Sequence, residues 1–339
     1  METKANSALF LKWLAVHINQ LDIHVNELNW ISNFFEGYYD VEVFFKINGN
    51  KVFGRGISNK SKDHAVEKAI TESIERSVFS EVRKLSDITT SGWAFHIDEQ
   101  KAILNASLEL IERDLFFCHY LTKTPFLDVS DDRDIVKGTL FEIAKRKMAM
   151  DGLELKLGHV FSSDDFHCFI CIGFGDKYST PFGSVMGMAC DLSIQDAINK
   201  AILECVPNLL AHIKGTVNKV YNESDFIKLK KFSPLDHLAL SKGLENINYM
   251  RSLFSTIKSH LTCKEQTSFF LENMVIEEVS MPGIFKGCGL LGVKAINHDL
   301  QKMFFGKTTI DKVNLKRLEK FSGKKLNFCN LQTYPHPFP

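Results

Sequence analysis

The residues in this chain best suited to chemistry are two matching runs, Glu72-x-x-Glu75-Arg76 and Glu109-x-x-Glu112-Arg113. On a helix, positions three apart lie one turn from each other, so each run presents two carboxylates beside a guanidinium. If two such helices meet across a groove, four carboxylates converge. Hard oxygen ligands in that number suit Mg2+, which in turn bridges nucleotide phosphates. Arg76 and Arg113 would then serve as bidentate partners for phosphate or carboxylate. For either run alone the plainer reading is a solvated helix face carrying a local Glu–Arg pair.

The elements that must position these residues follow one plan in three places. The stretches are "GRGISNKSKDHAVEKAITESIERSVF" from Gly54, "SGWAFHIDEQKAILNASLELIERDLF" from Ser91 and "GSVMGMACDLSIQDAINKAILECVPNLL" from Gly183. Each opens on glycine and small residues, passes an acid or hydroxyl suited to an N-cap, and enters an alanine-bearing helix. Glu72, Glu109 and Glu204 each stand seven residues after the first alanine, at 65, 102 and 197. Small residues followed by a carboxylate on one helix face let a backbone or ligand come close. Elsewhere, 134–150 reads as a helix, 153–175 as two strands around Ser-Ser-Asp-Asp, and 224–262 as helical with a break at Ser233-Pro234. "NMVIEEVSM" and "LLGVKAINH" read as late strands. With no Pro/Gly/Ser linker between halves, the expectation is one α+β domain with internal repeats and mixed sheets packed by helices. Its segments would be 1–50 (N-terminal helix and strand), 51–215 (repeat core with the ATP site), 216–265 (helical insertion) and 266–339 (C-terminal strands and proline-rich tail).

Composition narrows the function. Of 339 residues 45% are apolar, enough for a core, and Lys plus Arg equals Asp plus Glu at 41 each, which argues against nucleic-acid and anionic-membrane partners. The cysteines are scattered through apolar runs, as for reduced thiols in a cytoplasmic protein. "ALFLKWLAV" is interrupted by Lys12 and reads as an amphipathic helix, and no apolar run approaches a membrane span. Three local patterns lack the context their chemistry needs. "GCGLLG" (287–292) is followed by a strand-like run where a dinucleotide site needs a helix. "GKTT" (306–309) has Gln301 where a phosphate loop needs its first glycine, and reads as a surface turn. "CFIC" (168–171) lies in a strand, which points its two sulfurs to opposite faces.

Taken together, the paired E-x-x-E-R runs and their Gly/Ala leaders resemble the YcaO family over most of the chain. The third element fits "GMACDLSIQDAINKAILE", and the C-terminal part fits "VKAINHDLQKMFFG", "NLKRL" and the closing "PHPFP". The resemblance implies an ATP- and Mg2+-dependent enzyme that phosphorylates a backbone amide oxygen of a peptide. In azoline-forming members a neighbouring Cys, Ser or Thr attacks that amide and leaves a thiazoline or oxazoline ring. It further implies Glu72, Glu75, Glu109 and Glu112 as magnesium ligands, and Lys4, Ser7, Glu75, Arg76, Arg113 and Lys200 around ATP. Where family members show Gly-Asn and a further acid, this chain has His96, Ile97 and Lys101. Losing an amide and an acid there would remove one metal, with Lys101 supplying positive charge in its stead, unless the register slips and Asp98 or Glu99 compensates. Pro207 is expected to bend the third helix.

The resemblance also implies partners: a precursor peptide, a separate ubiquitin-activating-enzyme-like protein that binds its leader, a flavin-dependent dehydrogenase, and a second copy in a homodimer. Thioamide formation, with sulfide as the attacking group, would use the same ATP site. A scaffold that keeps the fold without nucleotide chemistry is the non-enzyme alternative. Alternating prolines fix φ near −65° and favour an extended chain with few states to lose. By resemblance, Pro335, Pro337 and Pro339 dock inward beside the ATP groove and order the substrate site.

Overall fold

The computed structural model describes residues 2–47, 49–84, 89–215, 219–257 and 267–337. The chain packs as two compact units, each assembled from segments distant in sequence.

The first unit comprises Met1–Leu110 and Met274–Asn297. It opens with α1 (Glu2–His17), which buries Phe10 and Trp13 but leaves Leu9, Leu11 and Val16 exposed. The helix is therefore less cleanly two-faced than its sequence suggests. An antiparallel sheet in the order β1-β2-β3 joins His24–Glu27, Tyr39–Ile47 and Asn50–Ser58, with a short helix α2 (Trp30–Phe34) between β1 and β2. Onto it packs α3 (Lys62–Val82), capped by the Ser61 hydroxyl accepting the His64 N–H. Ala65, Ala69, Ile70, Ile74 and Val78 form its buried face. The contact is backbone on backbone: a Cβ on Gly54 would lie 2.1 Å from the Ala69 oxygen, and one on Gly56 1.8 Å from that of Ala65. The glycines opening the first repeat are thus required by close approach.

A second sheet of this unit runs in the order β10-β11-β4, all antiparallel, from Val275–Val279, Leu291–Ile296 and Trp93–His96. β11 is the strand that follows "GCGLLG". The helix α4 (Glu99–Thr122) begins in this unit, its first turn capped by Asp98, whose carboxylate accepts the Lys101 N–H at 3.2 Å.

The second unit comprises Ile111–Asn273 and His298–Pro339. Its sheet runs β8-β7-β6-β5-β9, from Ser184–Asp191, His167–Phe174, Glu154–Ser162, Phe126–Asp128 and Phe254–Ser255. The β6–β7 hairpin is the pair of strands expected around Ser-Ser-Asp-Asp, and Cys168 and Cys171 lie buried in β7. Two helices, α5 (Arg133–Val136) and α6 (Leu140–Met150), precede the hairpin. α7 (Ile194–Ile213) packs on β7 and β8 and stays helical through Pro207. Its capping residue Ser193 accepts the Asp196 N–H, and a Cβ on Gly187 would lie 2.4 Å from the Ala201 oxygen. Of the helical stretch expected over 224–262, residues 258–262 lie outside the described residues, and the rest holds three short helices, α8 (Glu223–Phe226), α9 (Pro234–Ser241) and α10 (Ile247–Ser252), followed by the strand β9. A Ser233–Asp236 capping box starts α9. Later come α11 (Thr267–Leu271) and α12 (Leu315–Ser322). Among the described residues no helix is long and apolar enough to cross a membrane.

Candidate functional site

In the first unit, the Glu109 and Glu72 carboxylates both act on Glu75. Burial first, then the Glu109 and Glu72 carboxylates, hold Glu75 well above the usual carboxylate range, with Arg76 pulling the other way. A nearby cation would offset the like-charge part of that shift. Glu72 is already held on both oxygens. Oε2 accepts the Arg55 N–H at 2.7 Å, and Oε1 pairs with Arg76 at 2.6 Å. Arg76 is exposed and also donates to the Phe53 carbonyl at 3.0 Å. Arg55 is anchored in turn: its guanidinium binds the buried Asp40 through two hydrogen bonds, of 2.8 and 2.7 Å.

In the second unit, Glu112 is buried; its Oε1 pairs with Arg113 and its Oε2 accepts the Cys190 N–H at 3.3 Å. Lys200, exposed on α7, pairs with Asp191 at the end of β8. Glu204 repeats the arrangement of Glu72: its Oε2 accepts the Met188 N–H at 3.3 Å. In both cases a strand glycine packs on the second alanine of the helix, and the next strand residue donates to the glutamate three positions after that alanine. Part of the Gly/Ala/Glu pattern is therefore strand-to-helix fastening.

The remaining assigned residues are placed as follows. Ser7 is half-buried on α1, Lys4 lies on the same helix with its side chain outside the described residues, and Pro339 is outside them altogether. Pro335 and Pro337 are buried. Where the family pattern departs, Asp98 N–H donates to His96 Nδ1 at 2.9 Å and Asn6 donates to the Ile97 carbonyl at 2.9 Å. Burial first, then Lys101, lower the His96 pKa. The groups that sequence reasoning missed are supports: Asp40 under Arg55, Asp191 beside Lys200, and Asp114, the residue after Arg113. Asp114 is fully buried with Arg317 of α12, at 2.6 Å, and also accepts the Gln301 N–H at 2.7 Å. Only the "ERD" adjacency hinted at it.

Among the described residues no three His, Cys, Asp or Glu side chains stand ready-grouped as metal ligands. The donor set nevertheless fits Mg2+ chemically, since carboxylate oxygens carry spare lone pairs beyond the bonds described.

The family model of the YcaO cyclodehydratases, described as ATP- and Mg2+-binding, matches residues 76–272. That span opens directly after Glu72 and Glu75 and closes before the 334–337 segment. No curated protein is similar enough in sequence to count as a relative. Among solved structures, the chain is similar to a heterocyclase in complex with substrate and cofactor, with a TM-score of 0.66 and 11% identity over 96% of this chain. It spans 57% of that protein's length. It is also similar to the E. coli microcin synthetase McbBCD complex, with a TM-score of 0.54 and 12% identity, covering 77% of this chain and 85% of that one. At such identities the likeness shows the fold.

Proposed function

The chain belongs to the YcaO family, and on that premise we propose that it is an ATP- and Mg2+-dependent cyclodehydratase acting on a backbone amide of a ribosomally made peptide. The observation that carries this reading is the match of residues 76–272 to the YcaO family model, and the glutamates of the two E-x-x-E-R runs supply carboxylates of the kind Mg2+ takes. Glu72, Glu75, Glu109 and Glu112 would hold Mg2+, with Arg76, Arg113, Lys200, Lys4 and Ser7 toward the nucleotide.

The chemistry starts from a poor leaving group. A Cys, Ser or Thr side chain of the substrate adds to the preceding amide carbon. The former carbonyl oxygen must then depart as the nitrogen forms a C=N bond, with one proton lost from the nucleophile and one from the nitrogen. ATP with Mg2+ supplies the phosphoryl group that lets this oxygen leave as phosphate, giving ADP. The protein's part is positioning and charge. The strand N–H groups of Arg55 and Cys190 fix the directions of Glu72 and Glu112. Arg113, held on Glu112, offers a fixed guanidinium to an anionic group.

The burial of Pro335 and Pro337 favours ring formation over thioamide formation, since the ring-forming members are the ones that use such a segment. A separate leader-binding protein, a flavin-dependent dehydrogenase and a second copy of the chain complete the proposed assembly. The test is incubation with Mg-ATP, leader-binding partner and precursor, read by mass spectrometry and ADP release. The mass of one water should be lost per ring with one ADP formed, and Glu75→Gln with Glu109→Gln should abolish both. Exchange of oxygen for sulfur would select the thioamide chemistry. No mass change with no ADP would refute an enzyme of either kind.

A further inference from the structure

We propose that His237 and Tyr120 are positioning residues that clamp the 334–337 segment, fixing where its prolines present themselves to the reacting amide. The proposal rests on the cyclodehydratase reading above. His237 lies on α9 and has no exposed surface. Its Nδ1 is 2.6 Å from the His336 carbonyl oxygen, which can only accept, so Nδ1 carries the proton. Its Nε2 therefore bears a lone pair, and it accepts the Gly306 N–H at 2.9 Å. Gly306 has φ +87°, and a Cβ there would lie 2.5 Å from the Phe232 ring, so the backbone reaches His237 only as glycine.

The connection closes on itself. The His336 ring stacks on His237 with centroids 4.1 Å apart, and its Nε2 donates to the Phe304 carbonyl at 2.6 Å. Three segments are thereby joined in a cycle of hydrogen bonds: α9, residues 304–306 and residues 334–337. On the other side, the buried Tyr120 hydroxyl lies 3.1 Å from the Tyr334 oxygen and 3.2 Å from that of Pro335, donating to this carbonyl pair. Tyr249 donates to the Tyr120 carbonyl at 2.5 Å, and Asn246 to its hydroxyl at 3.4 Å. Tyr120 belongs to α4, the helix that carries Glu112 and Arg113.

Prolines at 335 and 337 have no N–H, so the segment cannot organise itself through a ladder of its own. Three successive carbonyls, at 334, 335 and 336, are instead fixed by buried side-chain donors. Apolar packing alone would bury these prolines without specifying the direction of each carbonyl. The clamp does specify it, and it ties that direction to the helix of Glu112 and Arg113.

The test compares Tyr120→Phe, His237→Phe and His237→Gln in the full chain. Glutamine retains a donor and an acceptor on its terminal amide. Three readouts are taken: Mg-ATP affinity, ADP formed per ring with kcat, and amide exchange of peptides covering 304–306 and 331–337. Both phenylalanine variants should keep Mg-ATP affinity. They should lose about ten- to a hundred-fold in kcat for ring formation, form more ADP per ring, and exchange faster in those two peptides alone. His237→Gln should recover part of each effect. The clamp is refuted if the phenylalanine variants make rings at the unaltered rate with one ADP each. It is equally refuted if their exchange rises throughout the chain along with loss of Mg-ATP binding, since support is then general. Should the unaltered chain form no ring at all, the cyclodehydratase reading falls, while unchanged exchange at 304–306 and 331–337 remains the separate result that would sink the clamp.

Discussion

Glu72 carries two separable tasks, and one substitution divides them. Its Oε2 takes the Arg55 N–H at 2.7 Å, fastening β3 to α3, whereas its charge is what a magnesium ligand needs. Glu72→Gln keeps a carbonyl oxygen for that N–H and removes the charge. A hydrogen bond to a charged acceptor contributes about 1.5–3 kcal/mol and one between neutral groups about 0.5–1.5 kcal/mol. The Arg76 pair, with its guanidinium side chain 53% exposed, adds no more than about 1 kcal/mol. Glu72→Gln should therefore cost about 1–2 kcal/mol, and Glu72→Ala, which strips the N–H of its acceptor, about 2–4 kcal/mol. Glu204 is the internal control, with the same fastening at 3.3 Å and no proposed metal role. Urea midpoints with m-values measure the fastening, and calorimetry with Mg-ATP measures the ligand role. Both Glu72 variants should lose Mg-ATP binding, while Glu204→Gln keeps it. Equal destabilisation by Gln and Ala would refute the fastening, and undiminished Mg-ATP binding by Glu72→Gln would refute the ligand role.

Two further outcomes follow from buried charge. Arg317→Met leaves Asp114 buried and uncompensated and should cost about 3–5 kcal/mol, with the Asp114→Leu and Arg317→Met double variant well short of the sum of the singles; additive urea-unfolding costs would count against the pair. His119, His212 and His237 are buried and lowered from 6.5 to about 4, chiefly by burial, with Lys242 adding to the effect at His212. Because the unfolded chain takes up protons first, their contribution is complete above pH 6.5 and drains away as pH falls toward 4, by about 2 kcal/mol per ring at pH 5. Urea midpoints at pH 7.5 and 5 check this, and His212→Phe should flatten the difference; an unchanged slope would contradict it.

Much of the fold was legible because its signals are local. Ser61 and Ser193 cap helices where hydroxyl-bearing starts were expected, and the hairpin of β6 and β7 follows from apolar runs around a polar turn. The Gly/Ala/Glu spacing marked helix faces open to a close backbone or ligand, but it assigned the glutamates to ligation and not to fastening. The bond from Arg55 N–H to Glu72 uses a main-chain atom, which every residue type supplies alike, so no sequence signal betrays it. The clamp was illegible for a similar reason: the partners of His237 lie 69 and 99 residues away, and the three hydrogen-bond partners described for the His237 and His336 rings are all main-chain atoms. "GKTT" shows the limit of local reading, for Gly306 and Thr308 are buried while Lys307 alone is exposed.

The glycines at 54, 56 and 187 set a spacing that side-chain volume does not control. Where a strand rests on a helix through leucines or valines, each substitution moves the two apart or together by a fraction of an ångström. Here the separation is fixed by the contact radii of main-chain atoms, which substitution elsewhere in the core leaves unchanged. Glu72 and Glu204 hang from that fixed spacing. The core around them can therefore drift in composition over many replacements while the carboxylates keep their reach, and a single added methyl at any of the three glycines would undo it.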